Sequence, residues 1–186
     1  MLRDKIWTTY KCRMNAERRY RSYNLLSHLL TSYYSLLLIF LSIFSDQILS
    51  NHQLAQGLGI ALSVAVFSLS LVLYGFHFSE TADKHRECYL KLQGLYDGGN
   101  PPELAAKYDE IKHQYPNHSP RDYRDLIVET VLNGHSPVTR PGTAEKVSPT
   151  CWQYMDYLAR KVSFVVIGYV IHLVWPIVAV RFLLAS

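Results

Sequence analysis

From Leu25 to Ser45 the chain reads LLSHLLTSYYSLLLIFLSIFS, 21 residues without Asp, Glu, Lys or Arg. At about 1.5 Å of helical rise per residue, roughly 20 apolar residues cross the hydrocarbon core of a bilayer. The run therefore predicts a transmembrane helix over 25–45. GLGIALSVAVFSLSLVLYGFHF (Gly57 to Phe78) predicts a second over 57–78. VSFVVIGYVIHLVWPIVAVRFLL (Val162 to Leu184), with the single charge Arg181, predicts a third over 162–184. The expected fold is an all-α integral membrane protein with three spans and a small cytoplasmic helical module. Some 24 residues precede the first run and no small-residue cleavage site follows it, so it is expected to stay in the mature protein.

The polar middle, 79–132, carries helical rather than alternating patterns. Cys88, Tyr89, Leu92, Leu95 and Tyr96 recur at helical spacing, so the second span is expected to run on as a stalk until Asp97-Gly98-Gly99-Asn100 breaks it. A next helix is expected from Asn100-Pro101, with Glu103 three residues after the cap and a stripe of Leu104, Tyr108, Ile111 and Tyr115. Pro116 should stop it. Ser119-Pro120 places a capping hydroxyl before a proline at the first helical position, and Tyr123, Leu126, Ile127 and Val131 form the stripe that follows. Residues 133–148, with two Gly and two Pro but few apolar side chains, are expected to be a mobile linker. Ser148-Pro149 repeats the capping chemistry ahead of a helix through Trp152, Tyr154 and Tyr157 into the third span.

Composition taken over the whole chain conceals this layout, since the mean hydropathy is near zero and the net charge only +4. Charge by segment is informative. Seven Lys and Arg precede the first span and none lies between Asp46 and Gln56, whereas eleven lie between Ser79 and Lys161. By the positive-inside bias, the N-terminal segment 1–24 and the middle should be cytoplasmic, with Ala185 and Ser186 outside. Cys12, Cys88 and Cys151 lack C-x-x-C spacing and fall on that reducing side, as free thiols.

Three segments carry a resemblance: "KCRMNAERRYRSYN" before the first span, "ADKHRECYLKLQGLYD" after the second, and "KYDEIKHQYPNHSPRDY". Over roughly residues 5 to 130 the chain resembles the SLATT family, the two-transmembrane effector domain associated with SMODS and SLOG proteins. The resemblance rests most on "YPNHSPRDY", which marks Asn117, His118, Asp122 and Tyr123. It implies a membrane effector of a bacterial anti-phage or conflict system in the inner membrane. Such an effector would form a homo-oligomer and permeabilise the membrane when triggered. The signalling partners it implies are a nucleotidyltransferase, a SLOG protein or a reverse transcriptase system. The family is described by two membrane helices, so the third run is a departure. No ligand-binding domain is recognisable on the chain, and the trigger is expected to come from elsewhere or to dock on the helical middle.

Candidate residues follow from these layouts. Arg13, Arg18, Arg19 and Arg21 could meet anionic lipid at the membrane surface or a nucleic-acid signal, although topology signalling alone accounts for them. Ala55, Gly59 and Ser63 form a small-x-x-x-small pattern for close helix packing, within a subunit or between subunits. Thr31, Ser35, Ser42 and Ser45 share a hydroxyl face that could line a wet path or bond their own helix. Ser35, Ser68 and His172 each lie about ten residues from the cytoplasmic end of a span, so they are candidates for a polar belt at one depth. An ionisable group there is a functional candidate by default.

Enzyme chemistry has little to stand on. His77 and His85 are eight apart and His113 and His118 five apart, which is not a di-iron or other metal spacing. Walker A, G-x-S-x-G and G-x-G-x-x-G patterns do not occur. His118 with Asp122 could be an acid and base pair, or a helix-entry motif. No cofactor and no metal site is expected. A channel or transporter accessory subunit, or a non-conducting membrane docking protein, is the alternative to an effector.

Overall fold

The computed structural model describes residues 2–48, 52–99, 102–135, 137–139, 145–172, 174, 176–177 and 181. Asn51, Asn100, Pro101, Gly142, Trp175, Ala185 and Ser186, which bear on the expected loop, caps, linker and outer end, lie outside the described residues. The elements are α1 (Leu2–Ile48), α2 (His52–Gly75), α3 (Phe78–Asp97), α4 (Leu104–Gln114), α5 (Pro120–Leu132), β1 (Val138–Thr139), β2 (Lys146–Val147) and α6 (Cys151–Val165), followed by a π-helical stretch, Val166–Ile171. The chain divides into a polar unit, Met1–Ser22 with Phe78–Arg160, and an apolar unit, Tyr23–His77 with Lys161–Ser186.

In the polar unit the start of α1 is a core element. Ile6 and Tyr10 pack with Cys88 and Leu92 of α3 and with Leu104 and Tyr108 of α4. Cys12 packs with Leu126 and Ile127 of α5 and with Val138 of β1. The stripes read for α3, α4 and α5 supply these partners, so the helical period does bury the apolar face. Thr9 completes the contact with α4, its hydroxyl 2.9 Å from that of Tyr108.

Four boundaries differ from expectation. α2 does not continue into a stalk: it ends at Gly75, and a break at Phe76 and His77, with His77 at φ 47°, separates it from α3. Left-handed backbone at a non-glycine residue interrupts a helix even where the apolar pattern runs on. α4 starts at Leu104 with Glu103 as its N-cap and without a side-chain capping bond, and the expected cap Asn100 lies outside the described residues. The expected linker contains an antiparallel pair, Val138 opposite Val147 and Thr139 opposite Lys146, with Val138 buried. Two-residue strands carry no period to detect. α6 is capped by Thr150 rather than Ser148: the Gln153 amide N–H donates to Thr150 Oγ1 (3.3 Å) and the Thr150 N–H to Gln153 Oε1 (3.0 Å).

In the apolar unit, α1 turns Leu25, Leu29, Leu36, Phe40 and Ile43 outward. α2 exposes Ile60, Leu62, Val64, Phe67, Leu69, Leu71 and Val72, positions that run round its whole circumference. By length and composition, two helices can cross a membrane: the one from Leu2 to Ile43 and the one from Gly59 onward. The third apolar segment runs parallel to α1. Tyr23 meets Phe164 (ring centroids 5.9 Å), Leu26 lies against Gly168, and Tyr34 meets His172, so both helices ascend together. Gly168 permits this approach, because a Cβ there would stand 2.8 Å from Leu26 Cδ2.

Candidate functional site

The polar residues singled out at the two ends of the helical middle converge inside the polar unit. Arg13 of α1 is 0% exposed, although its type and position suggested the membrane surface. Helical spacing puts it one turn beyond Tyr10, on the face that packs inward. Its Nη1 lies 3.5 Å from His85 Nδ1, and its Nη2 donates to Asn117 Oδ1, also at 3.5 Å. A guanidinium only donates, so His85 Nδ1 is the unprotonated ring nitrogen. Among the described residues no carboxylate lies within ion-pair distance of Arg13, and neither Arg13 Nε nor His118 Nδ1 has a hydrogen-bond partner.

Beside it stands a fully partnered pair. Arg19 Nε and Nη2 donate to the two oxygens of the buried Asp122 carboxylate at 3.1 and 3.0 Å. Asp122 Oδ2 also accepts from the Ser119 N–H at 2.8 Å, closing the capping box that opens α5. Asp122 is therefore a helix-entry residue with a cation attached, which is the structural side of the two readings offered by the "NHSPRD" motif. Tyr20 stacks on His85 with ring centroids 5.6 Å apart and 12° between planes, and the Arg19 guanidinium sits 4.6 Å from the centre of the Tyr20 ring. Tyr123 packs against the small cluster of Cys12, Leu126, Ile127 and Val138 instead of joining the polar group. Arg18 and Arg21 are exposed; Arg21 pairs with Glu17 and with Asp83 at 3.2 Å.

Burial first, and the Arg13 charge second, hold the His85 pKa down at about 4, against a smaller opposing pull from Asp122. The same two causes lower His118. Both rings are neutral near pH 7. Burial pushes the Cys12 thiol up to about 12 and raises Cys88, so neither is a nucleophile at neutral pH. Among the described residues no group of three His, Cys, Asp or Glu could hold a metal ion. The arrangement offers buried hydrogen-bond donors and positive charge.

This burial makes stability pH-dependent. The unfolded chain protonates His85 near pH 6.5 and the folded chain only near 4. Stability is thus full above about pH 6.5 and falls as the pH drops toward 4, by at most about 1.4 kcal/mol per pH unit for this group. His85→Gln should flatten that part of the pH profile of thermal unfolding. An unchanged slope would show that His85 does not carry it.

In the apolar unit Ser35, Ser68 and His172 have separate surroundings. Ser35 Oγ donates to the Thr31 carbonyl (2.8 Å), Thr31 to that of Ser27 (2.9 Å) and Ser27 to that of Tyr23 (2.7 Å). Thr31 and Ser35 of the hydroxyl face thus bond their own helix, and the side chain of Ser45 lies outside the described residues. Ser68 is exposed. His172 lies against Tyr34, and its carbonyl accepts from the Tyr34 hydroxyl at 3.5 Å. Pro176 has no N–H to give that carbonyl, so the tyrosine fills a vacancy the sequence creates. Ser63 Oγ donates to the Gly59 carbonyl at 2.8 Å, and a Cβ at Gly59 would meet nothing within 4 Å, so that face is open within the chain. The side chain of Ala55 lies outside the described residues.

The family model described as SMODS and SLOG-associating 2TM effector domain family 5 matches residues 1–182. The chain belongs to the SLATT family. The match extends past the motifs in the polar unit and takes in the third apolar segment, although the family is described by two transmembrane helices. No curated protein and no solved structure matches the chain. Membership makes this SLATT protein a two-transmembrane-type effector domain associated with SMODS and SLOG proteins, with a membrane location.

Proposed function

We propose that this SLATT protein is the membrane-permeabilising effector of a bacterial anti-phage conflict system. It sits in the inner membrane with its N-terminus and polar unit in the cytoplasm, crosses three times and works as a homo-oligomer. The observation that carries this reading is α1. One uninterrupted helix, Leu2–Ile48, holds Arg13 and Arg19 of the buried cluster in its first half and the first apolar span in its second. The element that bears the cluster and the element that would enter the membrane are thus the same helix. The parallel course of α1 and the third segment agrees with both entering from one side, as their flanking Lys and Arg require. The outward apolar faces of α1 and α2 suit lipid and neighbouring copies. Three helices are too few to enclose an aqueous path, so conduction needs several chains.

The trigger acts at the cluster. A buried guanidinium without a carboxylate is costly, and an anionic group from a nucleotide signal or a partner protein would offset that cost. Arg13→Met should therefore leave thermal stability equal or higher, because it removes an unpaired buried charge, while abolishing depolarisation when the protein is co-expressed with its genomic partner during phage infection. If Arg13→Met instead unfolds the protein, Arg13 is structural and the trigger site lies elsewhere. Wild-type cells that keep their membrane potential under those conditions would favour the docking-protein reading, and a permease as genomic neighbour would favour the accessory subunit.

A further inference from the structure

Two arginines of α1 present the same edge to different partners. The Nε and Nη2 donors of Arg19 grip both oxygens of Asp122 at 3.1 and 3.0 Å. The corresponding edge of Arg13 meets one neutral oxygen, Asn117 Oδ1, at 3.5 Å from Nη2, and its Nε has no hydrogen-bond partner. Arg13 is 0% exposed, so bulk water does not serve that donor. A guanidinium edge matches two oxygens of an oxyanion, and a charged acceptor makes such bonds shorter and roughly twice as strong. His118 Nδ1, in the residue after Asn117, is a second buried polar atom without a partner.

The way to this edge leads past Asn117, which is exposed although the Arg13 side chain behind it is not. The backbone around Asn117 is held from both sides: Tyr115 donates to Glu87 Oε2 at 3.3 Å, and Ser119 closes the capping box with Asp122. A turn of the Asn117 side chain therefore uncovers the fork without moving α4 or α5. The charge balance favours an anion there. Asp122 is already neutralised by Arg19, while the Arg13 and Lys112 charges both act on the His118 ring. All of these residues belong to the polar unit.

We infer that Arg13, covered by the Asn117 side chain and assisted by His118, is a binding site for a terminal phosphate group. The donors select that chemistry. A carboxylate has two oxygens and the fork uses both, whereas a phosphate monoester has a third for the Nδ1–H of a neutral His118 and carries about −1.5 to −2 charges near neutral pH. A phosphodiester has only two free oxygens and one charge. The phosphate site rests on the reading of the cluster as the place where the trigger acts, and it gives that signal a chemical class.

Thermal unfolding of the solubilised full chain in inorganic phosphate, AMP or cyclic AMP, against sodium chloride of equal ionic strength, tests the site. Phosphate and AMP should raise Tm saturably, and cyclic AMP should need at least about tenfold more. A midpoint for AMP about tenfold below that of phosphate assigns the group to a nucleotide, and equal midpoints assign it to free phosphate. Arg13→Met should abolish the rise. Asn117→Asp puts a carboxylate on the fork itself, so its Tm without phosphate should exceed that of the wild type and added phosphate should do nothing further. A rise of equal size in the wild type and Asn117→Asp, or none in the wild type, overturns the site, whether or not Arg13→Met folds. The trigger reading is separable, because under it Asn117→Asp should depolarise cells without the genomic partner. A stabilised Asn117→Asp protein in cells of normal potential keeps the phosphate site and removes the trigger from it. Loss of depolarisation in Arg13→Met, with no phosphate response in the wild type, does the reverse.

Discussion

Asp122→Ala should unfold the polar unit. The carboxylate is buried and accepts both arms of Arg19 and the Ser119 N–H. Removing it breaks a buried ion pair and a capping box in one step. It also leaves Arg19 and Arg13 together with no buried carboxylate beside them. Breaking a buried pair from one side typically costs about 3–5 kcal/mol, and loss of a cap contributes about 1 kcal/mol of its own. Against a whole stability of about 5–15 kcal/mol this is a large fraction. Asp122→Asn keeps an acceptor for the cap but loses the charge, so it should fall between wild type and alanine. Thermal unfolding of the solubilised protein and tryptic cleavage at the arginines of α1 measure both. An Asp122→Ala protein within about 0.5 kcal/mol of wild type would show that the pair contributes nothing net, as exposed pairs often do.

The same residue shows how far the sequence could be read. Ser119-Pro120 announced the start of α5, and Asp122 three residues after Ser119 completes the box, so this local structure was legible. The apolar faces of α3, α4 and α5 were legible for the same reason: each is a single amphipathic helix with one buried side. The first half of α1 was not. Seven basic residues dominate it, and they drew attention to topology, while Ile6, Tyr10, Cys12 and Ala16 between them form its buried surface. A helix buried on more than one side has no clean stripe, and the burial of Arg13 depends on His85 and Asn117, 72 and 104 residues away in sequence. The break at Phe76 and His77 was hidden because apolar residues continue through it, and hydropathy does not sense a backbone angle. Two features of the third segment were half legible. Pro176 leaves the His172 carbonyl without its usual donor, but only the fold supplies Tyr34, and the π-helical stretch around Gly168 has no signature in the period of the side chains.

His172→Leu should abolish membrane permeabilisation while leaving insertion and assembly intact. His172 lies near the middle of the third apolar segment, where an ionisable side chain is costly unless it has a polar partner or water. Its main chain is already served, since the Tyr34 hydroxyl donates to its carbonyl, so the ring is not needed to repair the gap left by Pro176. Leucine keeps the contact with the Tyr34 ring and removes only the imidazole's hydrogen-bonding capacity. Such bonds within membranes are worth about 1 kcal/mol, too little for their loss to dismantle an assembly. Polarity at the narrow part of a path is another matter, because an apolar ring of side chains excludes water and ions by dewetting. His172→Asn keeps a neutral polar group, so it should retain partial activity. Dye release from proteoliposomes, with the mass of the solubilised particle as control, separates the two roles. If His172→Leu releases dye like the wild type, the histidine only packs against Tyr34. The hydroxyls of Ser27, Thr31 and Ser35 would then be the next place to seek the path, although each already gives its proton to its own helix.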